Sequence, residues 1–388
     1  MSPATALSAD EARRLRQQSL LLAPAEHPAA ATTDPGTIVE WFGAMQAQDV
    51  ASGHWSFGVR LPGSTNADID RATAERQIVR TWPMRGTIHF VPPPDVNWLL
   101  ELTGARMLRG VERRWQILGL DRRTVEAAAD AIGATLADGP LTRAQVLASL
   151  QAQGIDASGQ RGYHLLWFAS QTGVSVIGPQ RGKEQTFALA ADWLPPQREL
   201  DRDEALRTLA ERFFRSHGPA ALTDFTGWTG LTAADTKAAV AMLGDKLAQV
   251  AVGERALLCS AAALDAPGWR DEDVEGQGAG AGVDEPLVLP GFDEYLLGYK
   301  DRWLAADADA MAAVIPGGNG VFRNTVTIAG QVKATWTRTT RATRAKRIDI
   351  TVLPLPRWRP TKAVRARVER AFKPYGEFLG LPVTVTFG

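Results

Sequence analysis

Several features of common protein classes are scarce or missing in this 388-residue chain. It has one cysteine, Cys259, so it can form neither an internal disulfide nor a cysteine-based zinc site, and a reducing cytoplasm is expected. No run of about 18 apolar residues occurs, and the N-terminal stretch MSPATALSADEARRL has no long apolar core. We therefore expect a soluble cytoplasmic protein with no signal peptide and no membrane partner.

Familiar catalytic motifs are missing too. The chain has no Walker A motif, no GxGxxG between a strand and a helix, no HExxH and no GxSxG. The five histidines are scattered, without the spacing of metal ligands: His27, His54, His89, His164 and His217. These absences argue against NAD, ATP and metal chemistry, and we expect no cofactor.

Net charge is also absent, but the charges are segregated. The chain has 43 basic and 43 acidic residues. Between residues 331 and 374 there are 13 Lys and Arg against only Asp349 and Glu369, which leaves +11 there and −11 in the remainder. Such a segment can hold a polyanion such as nucleic acid. The alternative is that its arginines line a solvated helix face or pair with the acidic regions.

Helical periodicity dominates the first two thirds of the chain, interrupted by pairs of short β-like segments. Helices are expected near 8–22, 35–45, 51–60 and 66–77, followed by the extended segments IVRTW and GTIHFVP. Three helices and a hairpin is the order of a winged helix-turn-helix. The order recurs from LTRAQVLASLQAQG to TFALA, and again from DEALRTLAERFFRSHG to ALLCS.

The sequence therefore predicts a mainly α fold with an α+β C-terminal part. Three tandem winged helix-turn-helix units would form a channel, joined to a small C-terminal β-rich domain. Tandem winged helices favour DNA as the partner, although such units also mediate protein contacts. The expected parts are an N-terminal helix (1–34), winged helix 1 (35–103), winged helix 2 (104–200), winged helix 3 (201–265), an acidic Gly-rich linker or loop (266–286) and the C-terminal β-rich basic domain (287–388).

One short stretch, GAMQAQD at residues 43–49, ends an apolar helix on two glutamines. Gln46 and Gln48 share a side only if the chain is extended there, so a joint role requires the helix to stop near Met45. A pair of amides can hold a water by its hydrogens but cannot act as a strong base, which limits the chemistry to substrates with a good leaving group. The alternative is a solvated helix cap.

Four motifs in order resemble the AlkZ-type DNA glycosylases, a bacterial family of tandem winged-helix proteins related to YcaQ. They are GAMQAQD, RTWPMRGTIHFV, LPGFDEYLLGYKDR and IAGQVKATW, and the resemblance runs from about Pro35 to the C-terminus. It implies hydrolysis of the N-glycosidic bond of alkylated purines in double-stranded DNA, notably N7-alkylguanine, including bulky antibiotic adducts and interstrand crosslinks. Gln46 and Gln48 match the family's Gln-x-Gln catalytic motif, the form associated with antibiotic self-resistance, whereas Asp49 lies one position beyond the acid of the Gln-x-Asp branch.

The resemblance also indicates candidate DNA contacts. Arg85 and His89 lie on the first hairpin and would approach the same cleft or a phosphate, or would instead tie the hairpin to its helices. Asp293, Tyr295 and Arg302 would hold the C-terminal domain against the winged helices. A basic turn between two strands has a shape that fits a DNA groove, and the wing PQRGKEQ is a second candidate. The DNA-binding candidates are thus Arg85, His89, Arg181, Lys183, Arg338, Arg341, Arg344, Lys346 and Arg347.

The main hypothesis is a monomeric, monofunctional DNA N-glycosylase that acts on alkylated purines in DNA repair or self-resistance. We expect no deep base pocket, because a bulky or crosslinked base could not enter one. A non-enzymatic winged-helix regulator that binds DNA is the alternative, and a protein-interaction scaffold is a third hypothesis.

Overall fold

The computed structural model describes residues 4–23, 34–267, 269–270, 285–341 and 346–388. The expected acidic linker at 266–286 lies mostly outside these residues. No helix within the described ranges is both long enough and apolar enough to cross a membrane.

The helices lie near the four positions expected before residue 78 and include further ones at 96–136, across the expected boundary between winged helices 1 and 2. They are α1 (Ala9–Ser19), α2 (Pro35–Phe42), α3 (Val50–Gly58), α4 (Asn66–Ala74), α5 (Val96–Gly110), α6 (Glu112–Ile117), α7 (Arg122–Leu136), α8 (Arg143–Ala152), α9 (Gln160–Gln171), α10 (Ala190–Trp193), α11 (Arg202–His217), α12 (Leu222–Thr229), α13 (Ala233–Leu243), α14 (Ala261–Asp265), α15 (Glu294–Leu297), α16 (Ala308–Val314), α17 (Lys362–Ala371) and α18 (Lys373–Leu379).

The strands form three sheets. They are β1 (Thr5–Ala6), β2 (Met45–Gln46), β3 (Val79–Met84), β4 (Thr87–Val91), β5 (Leu141–Thr142), β6 (Ser175–Ile177), β7 (Thr186–Leu189), β8 (Leu247–Val252), β9 (Arg255–Ser260), β10 (Leu287–Leu289), β11 (Asn324–Ile328), β12 (Gln331–Arg341), β13 (Arg347–Pro354) and β14 (Val383–Phe387). The sheet orders are β2-β4-β3-β6-β7-β5, β1-β8-β9 and β10-β11-β12-β13-β14.

The six-stranded sheet joins the predicted first and second units. Its two halves meet where Arg80 on β3 pairs with Ile177 on β6. Strands β3 and β4 are connected by Arg85 and Gly86, whose φ angles of 56° and 69° are both positive. Positive φ at both central residues is the geometry of a type I′ hairpin turn. The first hairpin is therefore short and closely packed on its helices.

The third unit carries the N-terminal helix on its surface. Strand β1 runs parallel to β8, with Thr5 opposite Val250, and Leu7 and Leu15 share a separate small core with Val250. Thr232 accepts a hydrogen bond from the Asp235 amide and so caps α13. The first strand of the chain therefore lies beside the predicted third unit, although about 245 residues separate the two in sequence.

The C-terminal domain packs directly on the helix that follows the GAMQAQD stretch. The ring of Trp55 on α3 lies 4.9 Å from Tyr375, which is also 5.2 Å from Trp336 on β12. The helical segment between residues 362 and 379 is divided at Phe372 into α17 and α18. Pro374 has no amide hydrogen to continue the first helix, which accounts for the break.

Candidate active site

The GAMQAQD stretch leaves its helix three residues earlier than expected. Helix α2 ends at Phe42, and Gly43 takes a φ of 78° that turns the chain out of the helix. The next residues form the edge strand β2, in which Met45 pairs with Phe90 and Gln46 with His89. The chain around the two glutamines is therefore extended rather than helical, as their joint role requires.

The side chain of Gln46 is buried and its orientation is fixed by the main chain. Its Oε1 accepts hydrogen bonds from the amides of Ala47 (3.0 Å) and Gln48 (3.2 Å). Both partners are N–H donors, so the oxygen must face them. The two lone pairs of this oxygen are thus used, and within the described part of the chain the Nε2 amino group of Gln46 has no hydrogen-bond partner.

Gln48 is exposed and less tightly held. Its Oε1 accepts one hydrogen bond, from the amide of Ile88 at 3.1 Å. One lone pair on this oxygen therefore remains, together with an amino group that makes no hydrogen bond to any described residue. Gln46 can only donate to a ligand, whereas Gln48 can both donate and accept.

The main chain between the glutamines is anchored from three directions. The Gln46 amide donates to Glu294 Oε1 (3.1 Å), and the Ala47 amide donates to the Ile88 carbonyl (2.8 Å). The Ala47 carbonyl accepts from Arg80 Nη2 at 3.0 Å. Arg80 is almost fully buried, and burial lowers its pKa to about 10, so it is still a cation at neutral pH. We call residues 46–48, held in this way, the glutamine turn.

Glu294 lies at the centre of a buried polar cluster behind the glutamine turn. Its Oε2 accepts from Trp228 Nε1 (3.0 Å) and from His217 Nε2 (3.2 Å). Burial raises the pKa of Glu294, but the hydrogen bond and charge of His217, with the charges of Arg85 and His89, outweigh it and lower the pKa to about 2. Glu294 is therefore a carboxylate. The sequence analysis singled out the neighbours Asp293 and Tyr295 but not Glu294. The signal that could have identified Glu294 was its position inside the motif LPGFDEYLLGYKDR.

Arg85 and His89 contact each other rather than an open surface. His89 is fully buried, its Nδ1 donates to the Thr87 carbonyl (2.9 Å) and its Nε2 accepts from Arg85 Nη2 (3.2 Å). Burial, together with the adjacent Arg85 charge, lowers the pKa of His89 to about 3. DNA binding by these two residues stays a prediction, and a contact from His89 would require this pair to open.

The other residues of the same motif make buried contacts across the domain boundary and within the C-terminal domain. Asp293 makes a bidentate ion pair with Arg60 on the segment after α3, with N···O distances of 2.8 and 2.9 Å, and both side chains are buried. The Tyr295 hydroxyl donates to the Gly330 carbonyl, and Arg302 Nε donates to the Leu296 carbonyl. Of these contacts, the Asp293–Arg60 pair joins the C-terminal domain to the winged helices, as expected. The contacts of Tyr295 and Arg302 lie within the C-terminal domain, so their fastening role stays a prediction.

A small cleft of about 80 Å³ opens at Asp49, the residue that follows the glutamine turn. Asp49, Arg338 and Tyr375 line it, and Arg338 Nη1 donates to the Tyr375 hydroxyl at 2.8 Å. The structure thus places strand β12 of the basic hairpin next to Asp49, the last residue of the motif. The cleft is well below the roughly 300 Å³ of a typical small-molecule site.

The remaining basic candidates lie on two separate hairpins. Lys346 and Arg347 are exposed at the end of the β12–β13 hairpin, where Arg347 pairs with Asp349 at 2.9 Å. Arg344 and the side chain of Arg341 lie outside the described residues. Lys183 and Arg181 are exposed on the hairpin of the second unit, with Arg181 Nη2 donating to the Pro140 carbonyl at 2.7 Å. Among the described contacts, none joins this second hairpin to the glutamine turn.

Metal and thiolate chemistry find no support in the described ranges. No group of three or more His, Cys, Asp or Glu is placed there to hold a metal ion. Cys259 is buried, and burial raises the pKa of its thiol to about 12. The polar side chains that line the cleft include the Asp49 carboxylate, the Asn324 amide, the Arg338 guanidinium and the Tyr375 hydroxyl.

Comparison with known proteins identifies the relatives of this chain. The family profile described as DNA glycosylase AlkZ-like matches residues 39–378. An interstrand DNA cross-link repair glycosylase of Streptomyces sahachiroi is 26% identical over 298 residues, covering 73% of this chain and 75% of the relative. The solved structure of Streptomyces sahachiroi DNA glycosylase AlkZ matches with a TM-score of 0.75 at 23% identity, over 98% of this chain and 100% of that one. The shared fold confirms the predicted mainly α class with a β-rich C-terminal part.

Proposed function

Because the chain belongs to the AlkZ-like DNA glycosylase family and is a DNA N-glycosylase, we propose that its substrates are N7-alkylated purines in duplex DNA. The name of the Streptomyces sahachiroi relative, an interstrand DNA cross-link repair glycosylase, supports extending the proposal to interstrand crosslinks. The family assignment favours this enzyme over the non-enzymatic regulator. Its role would be DNA repair or self-resistance to an alkylating antibiotic.

The complementary hydrogen-bonding capacity of the two glutamines carries the proposal. Gln46 has only its amino group free, because two backbone amides occupy its oxygen. Gln48 keeps one acceptor position on its oxygen, because Ile88 occupies the other. A water molecule would accept from Gln46 Nε2 and donate one hydrogen to Gln48 Oε1. Its second lone pair would then be free to bond to C1′ of the sugar.

This assignment revises the simpler expectation that both amides hold the water by its hydrogens. It still provides no strong base, and none is required for a cationic leaving group. An N7-alkylated guanine is positively charged, so it departs without protonation and leaves an oxocarbenium-like sugar. The water adds to C1′, and its proton then passes to solvent. Asp49 accepts the Ser52 amide at 2.9 Å as a helix cap, so we assign it no base role.

The damaged base would react without entering a closed pocket. Gln48 is exposed at the surface, and the cleft that begins at the next residue, Asp49, is about 80 Å³. Both features would suit approach to a base that remains in the duplex. We assign phosphate contacts to Arg338, Lys346 and Arg347 on the β12–β13 hairpin, because exposed basic groups supply most DNA affinity. The second hairpin, with Arg181 and Lys183, would add a weaker contact.

The test is single-turnover base release from a duplex that contains one N7-methylguanine. We expect Gln46→Ala and Gln48→Ala each to lower the rate about 100-fold, the size expected when a preorganised hydrogen-bonding group at the reacting centre is removed. Gln77→Ala is a matched control, since Gln77 is an exposed glutamine of the same unit that contacts Glu75.

A second substrate tests tolerance of bulk. A duplex crosslinked through N7 of two guanines should be unhooked with the same dependence on Gln46 and Gln48. Release that is unchanged in both variants would overturn the site, and failure on the methylated and the crosslinked duplex alike would overturn the substrate class.

A further inference from the structure

We propose that Glu294 is a positioning residue for the hydrolysis, a role that rests on the proposed function of Gln46. The carboxylate contacts the main chain of Gln46 across 248 positions of sequence, with 3.1 Å between the Gln46 amide nitrogen and Glu294 Oε1. Glu294 therefore acts through Gln46 rather than by touching the reacting atoms.

The direction of the Gln46 amide explains why a partner is needed at this point. Strand β2 lies at the edge of its sheet, and among the described strands it pairs only with β4. The next amide, of Ala47, donates to Ile88 on β4, and successive amides of an extended strand point to opposite sides. The Gln46 amide thus points away from the sheet, and Glu294 is the acceptor that it meets. Without that acceptor a buried N–H would be left unpaired.

Three N–H donors converge on this one carboxylate. Gln46 uses Oε1, whereas Trp228 and His217 share Oε2. His217 is itself fixed, because its Nδ1 lies 2.8 Å from the Ser216 hydroxyl and its ring stacks on Phe213 with centroids 4.5 Å apart. Since a carboxylate has two acceptor oxygens and an amide has one, a glutamine at position 294 cannot satisfy all three donors.

The position of the main chain determines where the Gln46 side chain donates. Gln46 Oε1 is held by the amides of Ala47 and Gln48, so a shift of the turn moves Nε2 with it. A misplacement of about 1 Å at a reacting centre can cost on the order of 100-fold in rate. Glu294 is thus the point at which the third winged unit and the C-terminal domain set the geometry of the first unit's glutamines.

The test compares Glu294→Gln with Asp224→Asn. Asp224 is also a buried carboxylate, and it accepts the amides of Ala221 and Lys300 (both 2.8 Å) without touching the glutamine turn. We expect Glu294→Gln to lower kcat on the N7-methylguanine duplex about 100-fold with KM unchanged, because orientation is lost but DNA contacts remain. Asp224→Asn should lower the Tm while the folded protein keeps its kcat.

A double-mutant cycle separates positioning from a general effect on the fold. If Glu294 acts through Gln46, adding Glu294→Gln to Gln46→Ala should cause no further loss of kcat, because the two changes remove one function. Full activity of Glu294→Gln, or losses that multiply in the double variant, would overturn the proposal. An unaffected Gln46→Ala single variant would instead overturn the proposed function.

A second variant keeps the proposal testable if Glu294→Gln does not fold. Trp228→Phe keeps the ring but removes the N–H that donates to Glu294 Oε2. We expect it to lower kcat several-fold with KM unchanged, and to have no effect in the Gln46→Ala background. Wild-type kcat in a folded Trp228→Phe protein, or a KM change alone, would contradict the positioning role.

Discussion

The glutamine turn and the β12–β13 hairpin hold their polar groups in opposite ways. At the turn, Glu294, Arg80 and Ile88 fix the main chain, and the first two have almost no exposed surface. On the hairpin, Lys346 and Arg347 extend into solvent. Directional chemistry requires groups that do not move, whereas binding a polyanion requires only accessible charge. Changes behind the turn should therefore alter stability and kcat, and changes on the hairpin should alter DNA affinity and its salt dependence.

The largest effect should come from breaking the ion pair beneath the turn. Both side chains are almost wholly shielded from solvent. Asp293→Asn therefore leaves the Arg60 guanidinium buried without its carboxylate partner. Removing one partner of a buried pair costs about 3–5 kcal/mol in the free energy of unfolding. Denaturant unfolding measures this loss in the free energy of unfolding. A surface ion pair would not produce a loss of this size.

The control for this prediction is an exposed ion pair in the same segment. Asp301 pairs with Arg255, and each side chain is about half exposed. Asp301→Asn should cost less than about 1 kcal/mol. Equal losses in Asp293→Asn and Asp301→Asn would contradict the idea that burial distinguishes the two regions.

A pH effect of intermediate size should also arise behind the turn. The pKa of His89 is lowered to about 3 in the folded chain, whereas an unfolded histidine titrates near 6.5. The unfolded state therefore binds a proton that the folded state does not, so stability is lost as pH falls from about 6.5 towards 3. The cost from this group is about 2 kcal/mol at pH 5.

Denaturant unfolding of the wild type and His89→Gln at pH 5 and pH 7.5 tests this contribution. The variant is expected to be less stable at neutral pH but to lose about 2 kcal/mol less than the wild type on acidification. Glu294, with its pKa lowered to about 2, adds a further loss only below about pH 4.5 and so leaves the pH 5 comparison clear. Identical pH slopes in the two proteins would show that His89 is not the titrating group.

Sequence patterns predicted local elements better than long-range contacts. The first four helices and the extended segments IVRTW and GTIHFVP were predictable because a few adjacent residues determine such elements. Gln46 and Gln48 were singled out by their motif, and an extended chain was expected there only on the condition that the two side chains act together. Glu294 was missed because its role depends on Trp228 and His217, which reach it only in the folded chain. Likewise, nothing in the pattern of β1 indicated that it would pair with β8.

A smaller effect is expected on the hairpin, and it should appear in binding rather than in catalysis. Lys346 is exposed, so Lys346→Ala should remove about one phosphate contact. The slope of log K against log salt would then become shallower by about 0.9, with a loss near 1 kcal/mol at physiological salt. Fluorescence anisotropy with a labelled duplex at several salt concentrations measures both. Lys346→Arg is the matched control and should keep the slope, while a changed single-turnover rate at saturating DNA would contradict a purely binding role.

The smallest effect should come from the hairpin that carries Lys183. It is useful because it tests whether the losses of binding energy on the two hairpins add. Lys183 is exposed beside Gly182, and its neighbour Arg181 is occupied by the Pro140 carbonyl, so Lys183→Ala should weaken DNA binding only about twofold, near 0.4 kcal/mol. Independent phosphate contacts on separate hairpins should add, so Lys183→Ala with Lys346→Ala should lose the sum of the single effects within about 0.5 kcal/mol. The Glu294 and Gln46 changes, by contrast, should fail to add. If the two lysine changes also proved strongly non-additive, the exposed charges would belong to a coupled network, and the difference between the two regions would be one of exposure only.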